Sequence, residues 1–147
     1  MIRNVSRLGM RLLGAGMFVA ILGARCGIPI FDPGPVVETV RVELENDTDT
    51  PVNPNLFVDG ILHLVDPPLA PFDMLPLDVD CFADTRLQTQ ADLLTGAGAI
   101  ASDNDPYVDQ GYEFYCGDTV RFAFAEDELG FFTAVFVNGF QIDAPTP

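Results

Sequence analysis

The sequence predicts an all-β fold: an antiparallel β-sandwich of about six to eight short strands joined by long loops, with a small β-barrel as the alternative. Three observations predict it. Apolar and polar residues alternate with a period of two along several stretches. Asp-Gly and Asn-Gly pairs stand between such stretches. No window has the composition of a good helix.

The elements follow in chain order. In Thr39-Val40-Arg41-Val42-Glu43-Leu44-Glu45, the valines and Leu44 share one face and the charges the other, as in a strand with one buried and one wet side. Leu56-Phe57-Val58-Asp59-Gly60-Ile61-Leu62-His63-Leu64 predicts a hairpin around 59–60, because a type I′ turn needs positive φ at both central residues and Asp-Gly tolerates that best. The stretch Asp66–Pro76 carries prolines at 67, 68, 71 and 76, so few backbone donors remain and a crossover or edge loop is expected. Leu77–Phe82 is strand-like. Leu87–Ile100 is the one window with helical character, which Gly96, Gly98 and its threonines restrict to a turn or two around Gln90–Leu94. Tyr112–Cys116 has strand composition, and Thr119–Phe124 alternates with Val120, Phe122 and Phe124 inward. Phe131–Phe136 is a further strand, and Asn138-Gly139 predicts a second tight hairpin. With 12 phenylalanines and no tryptophan, the core is expected to rest on Phe, Val and Leu.

The N-terminus carries an address. Arg3, Arg7 and Arg11 precede the apolar run Leu12–Gly23, and Cys26 follows, which is the layout of a secretory signal over 1–26. The run is shorter than the roughly 20 residues that a membrane-spanning helix needs. Residues 27–35 (GIPIFDPGP) then form a Pro/Gly-rich linker, and 36–147 hold the single domain. Leu22-Gly23-Ala24-Arg25-Cys26-Gly27 resembles the lipobox of bacterial lipoproteins, departing from it at Arg25 and in the position of the leucine. That resemblance implies lipidation at Cys26 and a tether to a membrane. Ordinary cleavage near Ala24 is the alternative. Either way the expected location is extracytoplasmic: secreted, periplasmic or cell-surface.

Cysteine arithmetic fits this picture. Three cysteines in an exported chain leave one over; with Cys26 lipidated, Cys81 and Cys116 remain as a disulfide pair. A metal site on the cysteines has no CxxC spacing to support it, and His63, the single histidine, has no evident partner.

Charge excludes some partners. Beyond residue 26 the chain holds Arg41, Arg86 and Arg121 against 22 acids, 3 − 22 = −19, with no lysine. Such a surface repels phosphate backbones and anionic lipid, so nucleic acid is excluded and membrane contact is expected only through the N-terminal lipid.

Catalytic chemistry finds little to work with. Ser102 and His63 are the only serine and histidine beyond the signal, so a Ser–His–acid triad would have to use both. Paired carboxylates could serve a small extracellular hydrolase, yet no acid pair is marked out among so many. Calcium is the most specific ligand suggested: Asp103-Asn104-Asp105 with Asp109 offers four oxygen-bearing side chains in seven residues. The start of this loop resembles an EF-hand at Asp103 and Asp105, and Pro106 and Tyr107 break the pattern. Two more acidic groups are Asp78, Asp80 and Asp84, and Glu45, Asn46, Asp47 and Asp49, although Asx residues also make turns without any metal. Asn46-Asp47-Thr48 matches the N-glycosylation sequon as well. The expected function is a non-catalytic extracytoplasmic domain that binds, adheres or builds the envelope, with an envelope or extracellular protein or a glycan as partner. The alternative is the carboxylate hydrolase.

Overall fold

The computed structural model describes residues 38–146, so the signal segment, Cys26 and the 27–35 linker lie outside the described residues. Those residues form ten strands and no helix. They are β1 (Glu38–Asn46), β2 (Val52–Val58), β3 (Ile61–Leu64), β4 (Met74–Cys81), β5 (Arg86–Thr95), β6 (Gly98–Ala101), β7 (Tyr107–Asp109), β8 (Thr119–Glu126), β9 (Phe131–Val137) and β10 (Phe140–Ile142).

Two sheets face each other as a sandwich, and no barrel closes. One has the order β10-β9-β8-β1-β4; the other has β3-β2-β5-β6, with β7 pairing the same side of β5 as β6 further along. Every pair is antiparallel except β1 with β8, which run parallel with Arg41 opposite Thr119. The inner faces follow the alternation. Val40, Val42 and Leu44 of β1 and Val120, Phe122 and Phe124 of β8 are wholly buried against Val52, Leu56, Leu87 and Leu93 of the other sheet. Burying a large apolar side chain contributes roughly 1.5–3 kcal/mol, so this shared layer is the main source of stability.

Both tight hairpins form as the sequence predicts. Asp59 and Gly60 have φ of 52° and 76°, and Asn138 and Gly139 have 49° and 83°, the paired positive values of a type I′ turn. Each Asx side chain also accepts a backbone N–H: Arg86 donates to Asp59 at 2.7 Å, and Thr119 to Asn138 at 3.1 Å.

Three expectations are corrected. Leu87–Ile100 contains no helical turn: β5 runs through it and folds back at Gly96 into β6. Its inner positions, Leu87, Thr89, Ala91 and Leu93, keep the period of two. Tyr112–Cys116 is not a strand; turns occupy 111–113 and 116–117, and Phe114 is buried as a plug from this loop. The strand count is ten rather than about six to eight, because β5 and the two short pieces beside it, β6 and β7, add members that the sequence did not announce. The proline-rich stretch does behave as a loop up to Asp73, pinned by a two-way backbone pairing of Leu69 with Val52, and Pro76 then sits within edge strand β4.

Asn46 organises the neighbouring loops. It is fully buried, and its amide donates to the carbonyls of Thr50 at 2.9 Å, Leu69 at 3.3 Å and Ala70 at 3.0 Å. Its carbonyl accepts from both the N–H and the hydroxyl of Thr48. The sequon asparagine is therefore an internal strut between loops, with its nitrogen closed off from solvent.

Candidate functional site

Burial is uneven across the sandwich, and the site follows from that. β3 and β4 are the end strands of their sheets and lie on the same side of the domain. No further strand covers that side among the described residues, so the space between the sheets opens to solvent there as a cleft of about 700 Å³.

The register dictates what faces into it. Directly opposed residues of an antiparallel pair share a face. Val58 stands opposite Ile61 and Leu56 opposite His63; since Leu56 and Val58 belong to the core, Ile61 and His63 are directed inward. β4 contributes Leu75, Leu77 and Val79, which oppose Leu44, Val42 and Val40 but stay half-buried. Ile61 keeps 68% of its surface exposed, although it lies on the inner face. Asp59, Val65, Asp66 and Phe82 complete the lining, with Asp78 and Asp80 at the rim, where β4 turns their side chains to the outer face, and it includes no lysine or arginine.

The end of β4 is fixed covalently. Cys81 and Cys116 form the expected disulfide, with a Cα–Cα distance of 5.6 Å. Cys81 closes the strand, while Cys116 lies in the turn ahead of β8 rather than in a strand of its own. A disulfide is compatible with an oxidising compartment.

The other residues singled out above are dispersed. Asp109 receives two bonds from the Arg86 guanidinium, at 2.6 and 2.8 Å, and this pairing holds its carboxyl below the ordinary aspartate range. Asp105 accepts from Gln90 at 3.1 Å. Asn104 behaves like a strand residue toward β9, donating to the Thr133 carbonyl at 2.8 Å and accepting its N–H at 2.7 Å. The Asp103 backbone N–H donates to the Phe131 carbonyl, and its carboxylate packs against Gly130, where an added Cβ would collide with it. Asp103, Asp105 and Asp109 thus attend to three different neighbours, and no group of three or more His, Cys, Asp or Glu side chains gathers as a metal site among the described residues.

Ser102 and His63 belong to opposite margins of one sheet, beside β6 and on β3 respectively. The Ser102 hydroxyl is engaged with the Asn104 carbonyl at 2.8 Å and lies 3.3 Å from that of Thr133. The structure does not bring the two together.

All three arginines of the domain are paired: Arg41 with Glu43 at 3.1 Å, Arg86 with Asp109, and Arg121 with Glu45 at 2.9 Å. Arg86 and Arg121 also cover the rings of Tyr107 and Phe136, each 4.3 Å from the centroid. The cleft's carboxylates therefore present their charge with no arginine among their neighbours in the lining.

The sequence reading missed Ile61, His63, Leu75, Leu77 and Val79 as site residues. A signal for the first two was present: a two-residue turn at 59–60 forces 61 and 63 opposite 58 and 56, whose side chains are inward. No family model, curated protein or solved structure matches this chain.

Proposed function

We propose that this chain is an extracytoplasmic, non-catalytic β-sandwich that binds a partner through the cleft between β3 and β4, with lipid on Cys26 holding it at a membrane. The observation that carries the binding role is the apolar floor left open there. Leu75, Leu77, Val79 and Ile61 sit on the faces that elsewhere form core, and they remain accessible. Binding sites are typically apolar concavities with a few polar groups around them, which describes this cleft.

The signal layout and the Cys81–Cys116 bridge support an address outside the cytoplasm. The lipobox-like residues before Cys26 support the anchor. Engagement of Asp105, Asp109 and Ser102 in internal bonds supports a scaffold role for the loop proposed to bind calcium.

Two experiments test the reading. Intact mass of the protein from the membrane fraction of its host should show a chain that begins at Cys26 with added diacylglycerol; a soluble, unlipidated chain cut near Ala24 removes the anchor. For binding, a photo-crosslinking residue placed at Phe82, on the cleft, should yield an adduct in the host envelope, while one at Leu129, an exposed hairpin tip outside the cleft, should not. Equal labelling from both positions removes the cleft as the binding surface.

A further inference from the structure

Resting on the cleft as binding surface, the hydrogen-bonding pattern of β4 narrows what can occupy it. Asn46 donates its N–H to the Asp73 carbonyl at 2.9 Å, one step beyond the β1–β4 register. In an antiparallel ladder, hydrogen-bonded and non-bonded pairs alternate. Leu75, Leu77 and Val79 therefore direct their backbone groups toward β1, and Met74, Pro76, Asp78 and Asp80 direct theirs toward the free edge.

That edge is not uniformly available. The Met74 N–H is taken by the Asp73 carboxylate at 2.9 Å, and Pro76 has no N–H. Both devices blunt an edge against strand addition. They leave Asp78 and Asp80 as the donors of β4 that face an open edge, at the end clamped by the disulfide.

We propose that a short extended peptide of alternating apolar and basic residues adds to β4 at Asp78–Asp80 as an extra strand. The alternation follows from the two faces. Residues beside Leu77 and Val79 enter the cleft and meet its apolar floor, so they must be apolar. Residues beside Asp78 and Asp80 lie on the outer face, where opposite charges across strands attract. Arg41 stands opposite Asp78 from the β1 side, but its guanidinium goes to Glu43 at 3.1 Å, so the two aspartates make no ion pair among the described residues. Charge complementarity selects this occupant. A second copy would bring aspartates against aspartates, and anionic lipid or nucleic acid would meet the same field. Strand addition of this kind takes its affinity from main-chain bonds and its specificity from alternate side chains.

The test uses the full chain and a fluorescent nine-residue peptide of alternating valine and lysine, read by anisotropy. Two comparison peptides carry the same residues in two blocks, or glutamate in place of lysine. The alternating peptide should bind about tenfold tighter than the blocked one, and the glutamate peptide should not bind. Asp78→Asn with Asp80→Asn should weaken binding about tenfold, whereas Asp47→Asn with Asp49→Asn, on the β1–β2 loop, should leave it unchanged. These aspartates are exposed, so folding is preserved, and circular dichroism verifies it. Equal binding of the blocked peptide, equal loss in both double variants, or no binding of any peptide overturns the proposal. If the Phe82 crosslinker still captures a partner in that last case, the cleft remains a binding surface and its occupant has another chemistry.

Discussion

β1 and β4 are neighbours in one sheet, alternate as strictly as each other, and have opposite fates. The inner residues of β1, Val40, Val42 and Leu44, have no exposed surface, while the facing trio on β4, Val79, Leu77 and Leu75, stays half-buried. The side chains are of the same kind and stand in register. What differs is what covers them: β1 has a strand on either side, whereas β4 ends its sheet and its inner face borders the open cleft. Period-two alternation identifies a strand and its inner face. It does not say whether that face becomes core or a binding surface, because strand order decides this, and strand order comes from pairings far apart in the chain.

The greatest loss is expected on the closed side, at β8. Phe122→Ala, in the wholly buried layer, should cost about 3–5 kcal/mol in denaturant unfolding. Next comes the clamp that ties the open strand down. Replacing Cys81 and Cys116 together by serine releases a loop of 35 residues and should cost roughly 3–4 kcal/mol; a loss near zero would mean that β1 alone holds the end of β4. Asn46→Ala orphans the loop carbonyls it serves and should cost about 2–3 kcal/mol, read from the same denaturation curves. On the open side, Leu77→Ala should cost less than about 2 kcal/mol, since its side chain is only half-buried. Should Leu77→Ala prove as costly as Phe122→Ala, the contrast between the two strands fails.

The smallest effect concerns the surface pair Arg86–Asp109. Hydrogen bonding from Arg86 lowers the Asp109 pKa in the folded protein, so the pairing stabilises above the unfolded carboxylate range, near pH 4. That contribution is lost as pH falls through the depressed value. Arg86→Gln should lower the melting temperature slightly at neutral pH, and the gap between variant and parent should close in acid. A gap that persists at pH 2 would place the stabilising effect of Arg86 in its stacking on Tyr107 instead.

Much of the fold was legible from local chemistry. Asp59-Gly60 and Asn138-Gly139 announce their turns because few other pairs tolerate two positive φ values. Val120, Phe122 and Phe124 announce β8 by alternation. β5 was harder, since a threonine and an alanine stand among its inward residues. Thr89 turns its hydroxyl into the core, where it finds no hydrogen-bond partner, and this polar residue masks the apolar stripe. Of the candidate site residues, Cys81 and Cys116 followed from counting cysteines. The acidic loop looked like a cation site because four oxygen-bearing side chains cluster in sequence, and the chain folds so that each answers to a different neighbour. The cleft itself could not be read, for it exists only once β3 and β4 are known to be edges.

The parallel pairing of β1 with β8 also bears on the order of assembly. A chain emerging from its N-terminus presents β1 first, yet the strand that completes one flank of β1 arrives only after about half of the molecule has followed it. β1 with β4, and β2 with β5, can meet much earlier across shorter separations. The first sheet must wait for its late partner, with one edge of β1 bare in the meantime. Contacts between distant parts of a chain slow folding, and the interval leaves an unpaired strand open to the wrong neighbour. The seam between β1 and β8 joins the most distant partners of any strand pair described, and a slow step in refolding is expected there, although the stability of the finished molecule is spread over both sheets.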